Sequence, residues 1–141
     1  MFAYDGSELA GFAITHAAAQ LATPRDGLVV CVWQPADVGF TPIGNRHVDA
    51  DQSTEVRKAA EETAAHGAAL AEKAGFRARV MAVEDAATWK GIVTTAEQER
   101  VNLVVVGAHR RRGLVRHLLG GVASAVVAHS PSSVQVVHQP S

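Results

Sequence analysis

Two glycine-bearing segments carry residue types suited to holding an anionic ligand. The first is Asp5-Gly6-Ser7, directly after the short apolar stretch Phe2-Ala3-Tyr4. The second runs from Gly107 to Gly121, after the aliphatic run Leu103-Val104-Val105-Val106, and leads into a helical pattern. A helix N-terminus offers backbone N–H groups that lack intrahelical partners, together with the positive end of the helix dipole. A glycine-punctuated chain entering such a helix therefore favours phosphate. Arg110, Arg111, Arg112 and Arg116 lie inside the second segment. Arg110 brings a planar charged donor to the place where a polyphosphate carries its anionic groups. For Arg111 and Arg112 a solvated loop is the simpler reading.

Other candidate chemistry is weaker. Asp5 also suits a turn before a helix, where its carboxylate accepts from backbone donors. Glu84 and Asp85 are neighbours at the end of an apolar stretch, and neighbours on an extended chain face opposite ways, so they form no acid/base pair. Glu61 and Glu62 belong to a solvated helix face. Cys31 sits within an apolar run and reads as core. The histidines are scattered without a metal-binding spacing, and His109 reads as solvent-facing, so no metal site is expected. The chain has no G-x-S-x-G elbow, no G-x4-G-K-[ST] loop and no G-x-G-x-x-G fingerprint. No catalytic residue is nominated, and the chain is expected not to be an enzyme.

The elements that must position these residues follow from hydrophobic periodicity. Leu28–Trp33 and Leu103–Val106 are continuous apolar runs. They lack the alternation of a one-sided strand and suit parallel strands covered on both faces. Phe2–Tyr4, Phe76–Val83 and Val134–Val137 complete five strands. Between them lie four helical patterns. The first is capped by Ser7 and places Ala10, Ile14, Ala17, Ala18 and Leu21 on one face. The second spans about Gln52 to Ala74 and stops at Gly75. The third spans Ala87 to Arg100, and the fourth spans Gly120 to His129, ending before Ser130-Pro131. Gln34 to Ala50 is expected to be the one long loop. Strand and helix thus alternate four times before a closing strand, which predicts an open α/β fold with a parallel sheet and right-handed crossovers. In such a sheet ligands bind beyond the carboxyl ends of the strands, where the strand order reverses.

Composition agrees with this class. The 141 residues predict one domain over 1–141, with 48% hydrophobic and 19% charged residues. Thirteen Lys and Arg against fourteen Asp and Glu leave a net charge of −1, which argues against a nucleic-acid binder. No aromatic residue interleaves with the arginines of the second segment, which points the same way. No apolar run reaches the roughly 18 residues of a membrane span, and the start of the chain lacks a signal-like pattern. A cytoplasmic protein is expected.

The chain resembles the universal stress proteins from Tyr4-Asp5-Gly6-Ser7 to Val134-Gln135-Val136-Val137. The most specific part is Val104–Gly107 followed by Gly113-Leu114, Leu118-Leu119-Gly120, Val122 and Pro131. The resemblance implies a Rossmann-like sheet of the adenine nucleotide alpha hydrolase-like type, with strand order 3-2-1-4-5. It implies a role in stress response and signalling, with ATP or another adenine nucleotide as ligand and Mg²⁺ as an accompanying ion. Binding would order the segment from Gly107 to Gly121 and so change a surface that a partner protein reads. Nucleotide-binding members carry G-x2-G-x9-G-[ST] in this segment, with Gly107 first and Gly120 third. Here Arg110 replaces the second glycine, and Gly121 replaces the hydroxyl residue that donates to the terminal phosphates. The resemblance assigns Asp5, Val32, Val106, Gly107, Arg110, Gly120, Gly121 and Val122 to the ligand. It also implies a homodimer formed through the last strand, Val134–Val137. The two replacements leave an alternative open, a nucleotide-independent homodimeric interaction module.

Overall fold

The computed structural model describes residues 1–34, 46–109 and 120–140. Along the chain lie β1 (Phe2–Ala3), α1 (Glu8–Gln20), β2 (Arg25–Trp33), α2 (Arg46–Lys73) and β3 (Phe76–Glu84). They are followed by α3 (Thr88–Gln98), β4 (Leu103–Gly107), α4 (Gly121–His129) and β5 (Ser133–Val137). The five strands form one sheet in the order β3-β2-β1-β4-β5, with every pair parallel. This is the predicted order. The registers Phe2↔Val29 and Phe2↔Val105 place β1 between β2 and β4.

Both faces of the sheet are covered, as the unbroken apolar runs require. Along β4, Val105 packs with Ala10, Ala13, Ile14 and Ala17 of α1 and with Ala68 and Ala71 of α2. Its neighbours Val104 and Val106 turn the other way, onto Ile92 and Ala96 of α3 and Ala123 and Val126 of α4. Alanine on the helices lets them lie close to the sheet while the strands supply the bulk. Ile14 is 1% exposed, and burying such a side chain contributes about 1.5–3 kcal/mol. Phe2 and Phe76 meet edge to face at a centroid distance of 5.0 Å.

The helix ends follow local chemistry. Ser7 caps α1 by accepting from the Ala10 N–H at 3.1 Å. Gly75 follows α2 with φ of 103°, a conformation that glycine adopts without steric cost. Ser130 is the C-cap of α4, ahead of Pro131.

Three boundary differences matter most, beside shifts of one or two residues elsewhere, such as α3 spanning Thr88–Gln98 rather than Ala87 to Arg100. The long loop was expected to reach Ala50, but α2 begins at Arg46. No proline or glycine lies between Gly44 and the helical pattern, so nothing in the sequence stops the helix from starting earlier. Residues 35–45 of that loop lie outside the described residues. β2 begins at Arg25 rather than Leu28, because Arg25, Asp26 and Gly27 pair with Phe76, Arg77 and Ala78. That extension is held by the ladder and by an exposed Arg77–Asp26 ion pair at 2.7 Å, which is worth about 0–1 kcal/mol. Tyr4 falls outside β1, although its N–H still donates to the Val30 carbonyl at 2.9 Å.

Candidate functional site

The strand order turns between β1 and β4, and a cavity of about 280 Å³ opens there at the carboxyl ends of the strands. Its two ends differ in chemistry. On one side Val30 and Val32 of β2 face Ile92 and Thr88 of α3, giving largely apolar walls. On the other side Gly107, Gly120 and Gly121 lead into α4. Gly120 is the N-cap residue of α4, makes no side-chain cap bond, and no acidic residue occupies the first turn. Gly120 has no side chain to cap the first-turn N–H groups, which open towards the cavity. A Cβ at Gly120 or Gly121 would meet no described residue within 4 Å.

Asp5 lies between these ends. Its Oδ1 accepts from the Ser7 N–H at 2.9 Å, so the carboxylate shapes the turn as well as lining the cavity. Gly6 within that turn has φ of 84°. Behind Asp5, Tyr4 is buried at 4% exposure, and its hydroxyl is bonded to His66 Nδ1 at 2.6 Å. Burial, then the charges of Asp5 and Cys31, push the Tyr4 phenol above its ordinary pKa. Burial and then Asp5 push the Cys31 thiol up likewise. Cys31 packs with Trp33, Ala60 and Ala64 as a core residue, as expected. Since the thiolate is the reactive form, native Cys31 is expected to react with a disulfide reagent at pH 8 at least tenfold more slowly than in denaturant. A stopped-flow or absorbance assay checks this, and equal rates would contradict the burial.

Two close approaches set the walls. A Cβ on Gly107 would come within 2.8 Å of Leu9 Cγ, so this glycine lets the first turn of α1 lie against the end of β4. A Cβ on Gly91 would come within 2.9 Å of Val32 Cγ1, so α3 lies tightly on the end of β2.

The structure brings Asp5, Val32, Val106, Gly107, Gly120, Gly121 and Val122 together around this one cavity. Arg110, with Arg111, Arg112, Gly113, Leu114, Arg116, Leu118 and Leu119, lies outside the described residues. His109 is exposed, as expected, and stands at the rim. Asp85 accepts from the Ala87 N–H at 3.0 Å, forming the turn ahead of α3. Sequence reasoning missed Thr88 and Ile92. The available signal was Gly91, a lone glycine inside a helical pattern, which marks a close approach of backbone. Among the described residues no group of three or more His, Cys, Asp or Glu side chains could hold a metal ion. No helix among the described residues is long and apolar enough to cross a membrane.

An all-parallel sheet of order 3-2-1-4-5, with a cavity where the order turns, defines the α/β nucleotide-hydrolase-like class. Within that class, the description Universal stress protein family matches residues 1–138, and the chain belongs to that family. Solved structures agree on the fold. Hypothetical protein MJ0577 is 22% identical with a TM-score of 0.77, covering 99% of this chain and 94% of its own. A universal stress protein in complex with cAMP is 22% identical with a TM-score of 0.60, covering 96% of this chain and 92% of its own. The universal stress protein from Archaeoglobus fulgidus in complex with dAMP is 18% identical with a TM-score of 0.54, covering 95% and 92%. No curated protein matches the chain.

Proposed function

We propose that this is a non-enzymatic stress-response protein of the cytoplasm that binds an adenine nucleotide across the cavity. The observation that carries the reading is the pairing of an apolar end with a glycine N-terminus of α4 that lacks a side-chain cap. A flat base would lie against Val32 and Ile92, while an anion suits the first-turn N–H groups of α4. The ribose would then lie beside Asp5, whose carboxylate accepts hydroxyl donors. Two relatives of the same fold are named in complexes with cAMP and dAMP, which supports an adenine nucleotide here. β5 is an edge strand, and pairing with a second copy would cover it, which supports a homodimer.

Titration calorimetry with ATP, ADP and AMP, with and without Mg²⁺, tests the reading. Saturable heat from folded protein is expected. No heat from folded protein would overturn it. Gly121→Ser sharpens the test, because among the described residues nothing lies within 4 Å of the Cβ it would add. The added hydroxyl is expected to tighten ATP about tenfold, the worth of one hydrogen bond to a charged phosphate. AMP, which lacks the terminal phosphates, should change little. Gly121 itself favours a second reading, a nucleotide-independent interaction module. That reading gains if the natural chain binds nothing while Gly121→Ser binds ATP.

A further inference from the structure

We propose that Thr88 binds ring nitrogen N1 of the base and so selects adenine over guanine; this rests on the nucleotide reading above. Thr88 is the first residue of α3, half-buried, and lines the cavity with Val32 and Ile92. It is the polar side chain that lines this end of the cavity among the described residues, with Gln34 behind it. The hydroxyl of Tyr4 is engaged by His66, and Asp5 and Ser7 belong to the turn after β1.

The topology decides which part of a nucleotide reaches it. β2 and β4 are separated by β1, so their ends stand two strand spacings apart, about 9–10 Å. With phosphate at the α4 entrance and ribose beside Asp5, the base extends towards β2 and α3. Its edge farthest from the ribose, the N1 and C6 edge, then meets Thr88.

The hydrogen bonding decides which base fits. The Gln34 side-chain Nε2 donates to Thr88 Oγ1 at 3.0 Å. That bond uses a lone pair of the hydroxyl and leaves its proton to donate. An acceptor at N1, as in adenine, extends the chain head to tail from amide to hydroxyl to ring nitrogen, and such chains reinforce themselves. Guanine carries a proton at N1. Its N1–H would meet the hydroxyl donor to donor, and turning the hydroxyl to the neighbouring O6 would leave N1–H unpaired against Val32 and Ile92, where an unmade hydrogen bond is costly.

Calorimetry with AMP, 1-deaza-AMP and GMP, on the natural protein and on Thr88→Val and Thr88→Ser, tests this. The natural protein is expected to prefer AMP to 1-deaza-AMP and to GMP by about tenfold each. Thr88→Val removes the hydroxyl at nearly constant shape. It should weaken AMP about tenfold, leave 1-deaza-AMP unchanged and bring their ratio close to one. Thr88→Ser should restore the preference, and an unchanged thermal melt confirms that each variant is folded. If Thr88→Val still separates AMP from 1-deaza-AMP as the natural protein does, Thr88 has no such role, while the cavity remains a nucleotide site. If the natural protein binds no AMP, both the site and the role of Thr88 are overturned together.

Discussion

Replacing Gly67 with alanine is expected to destabilise the protein by about 1–2 kcal/mol, although alanine is the better helix former. Gly67 lies within α2 and is buried against the ring of Tyr4. A Cβ there would stand 2.7 Å from Tyr4 Cδ1, 2.8 Å from Tyr4 Cγ and 2.9 Å from Val29 Cγ1. The ring cannot slide away cheaply, because Tyr4 is 4% exposed and its hydroxyl is tied to His66 on the same helix. Helix propensity returns about 1 kcal/mol, and overpacking of a full core costs roughly 1–3 kcal/mol. The steric term is expected to win. The melting temperature should fall by roughly 3–8 °C. Gly11→Ala is the matched comparison. Its Cβ would meet Leu70 Cδ1 at 3.3 Å, the mobile end of a half-buried side chain. Here propensity should win, with a gain of up to about 1 kcal/mol. Denaturant titrations followed by circular dichroism measure both. Equal effects at the two positions would mean that the contact with Tyr4 imposes no strain.

Gly107→Val is the second substitution with a large expected effect, because it strikes stability and binding together. The new Cβ would lie 2.8 Å from Leu9 Cγ and 3.3 Å from the Leu9 carbonyl oxygen. Backbone cannot rotate aside as a side-chain tip can. The ladder to β5 (Gly107↔Val137) also holds this end of β4 in place. Relief therefore requires the first turn of α1 to lift from the sheet. The cost is expected to be about 2–3 kcal/mol. Leu9 and Ser7 both line the cavity, so its shape changes with them, and nucleotide affinity should fall at least tenfold. Denaturation and calorimetry on the same sample measure the two effects. A stable variant that binds as the natural chain does would show that α1 does not press on Gly107.

Much of the architecture was legible because the strands here are unbroken aliphatic runs. Leu28–Trp33 and Leu103–Val106 could only be buried on both faces, and that dictates parallel strands between helix layers. The caps at Ser7 and Gly75 carry their own local chemistry and were equally readable. Arg25-Asp26-Gly27 was not, since its membership of β2 comes from pairing with β3 and leaves no mark in side-chain pattern. The first turns of α2 were obscured for a similar reason: a polar stretch beside a loop looks the same whether coiled or helical. At the cavity, residues at the ends of β1, β2 and β4 could be named from topology and family likeness. Thr88 and Ile92 could not, because their approach to Val32 is made by packing through Gly91, which is a tertiary fact.

The middle strand of the sheet is also its shortest. β2 and β3 run together along their full nine residues, whereas the β1 ladder pairs through Phe2 and Ala3, with Tyr4 and Met1 adding backbone hydrogen bonds to β2 and β4. The sheet thus consists of a broad flank, β2 with β3, and a second flank, β4 with β5, sewn together by a narrow seam. The two flanks share one core over this seam, with Val29 of one and Val105 of the other packed beneath α1. The cavity lies directly over it, with Val32 on one flank and Gly107 on the other. A molecule seated there would work as a rivet. At a concentration one hundred times its dissociation constant it would add about 2.7 kcal/mol against unfolding, applied at the joint where the two flanks meet.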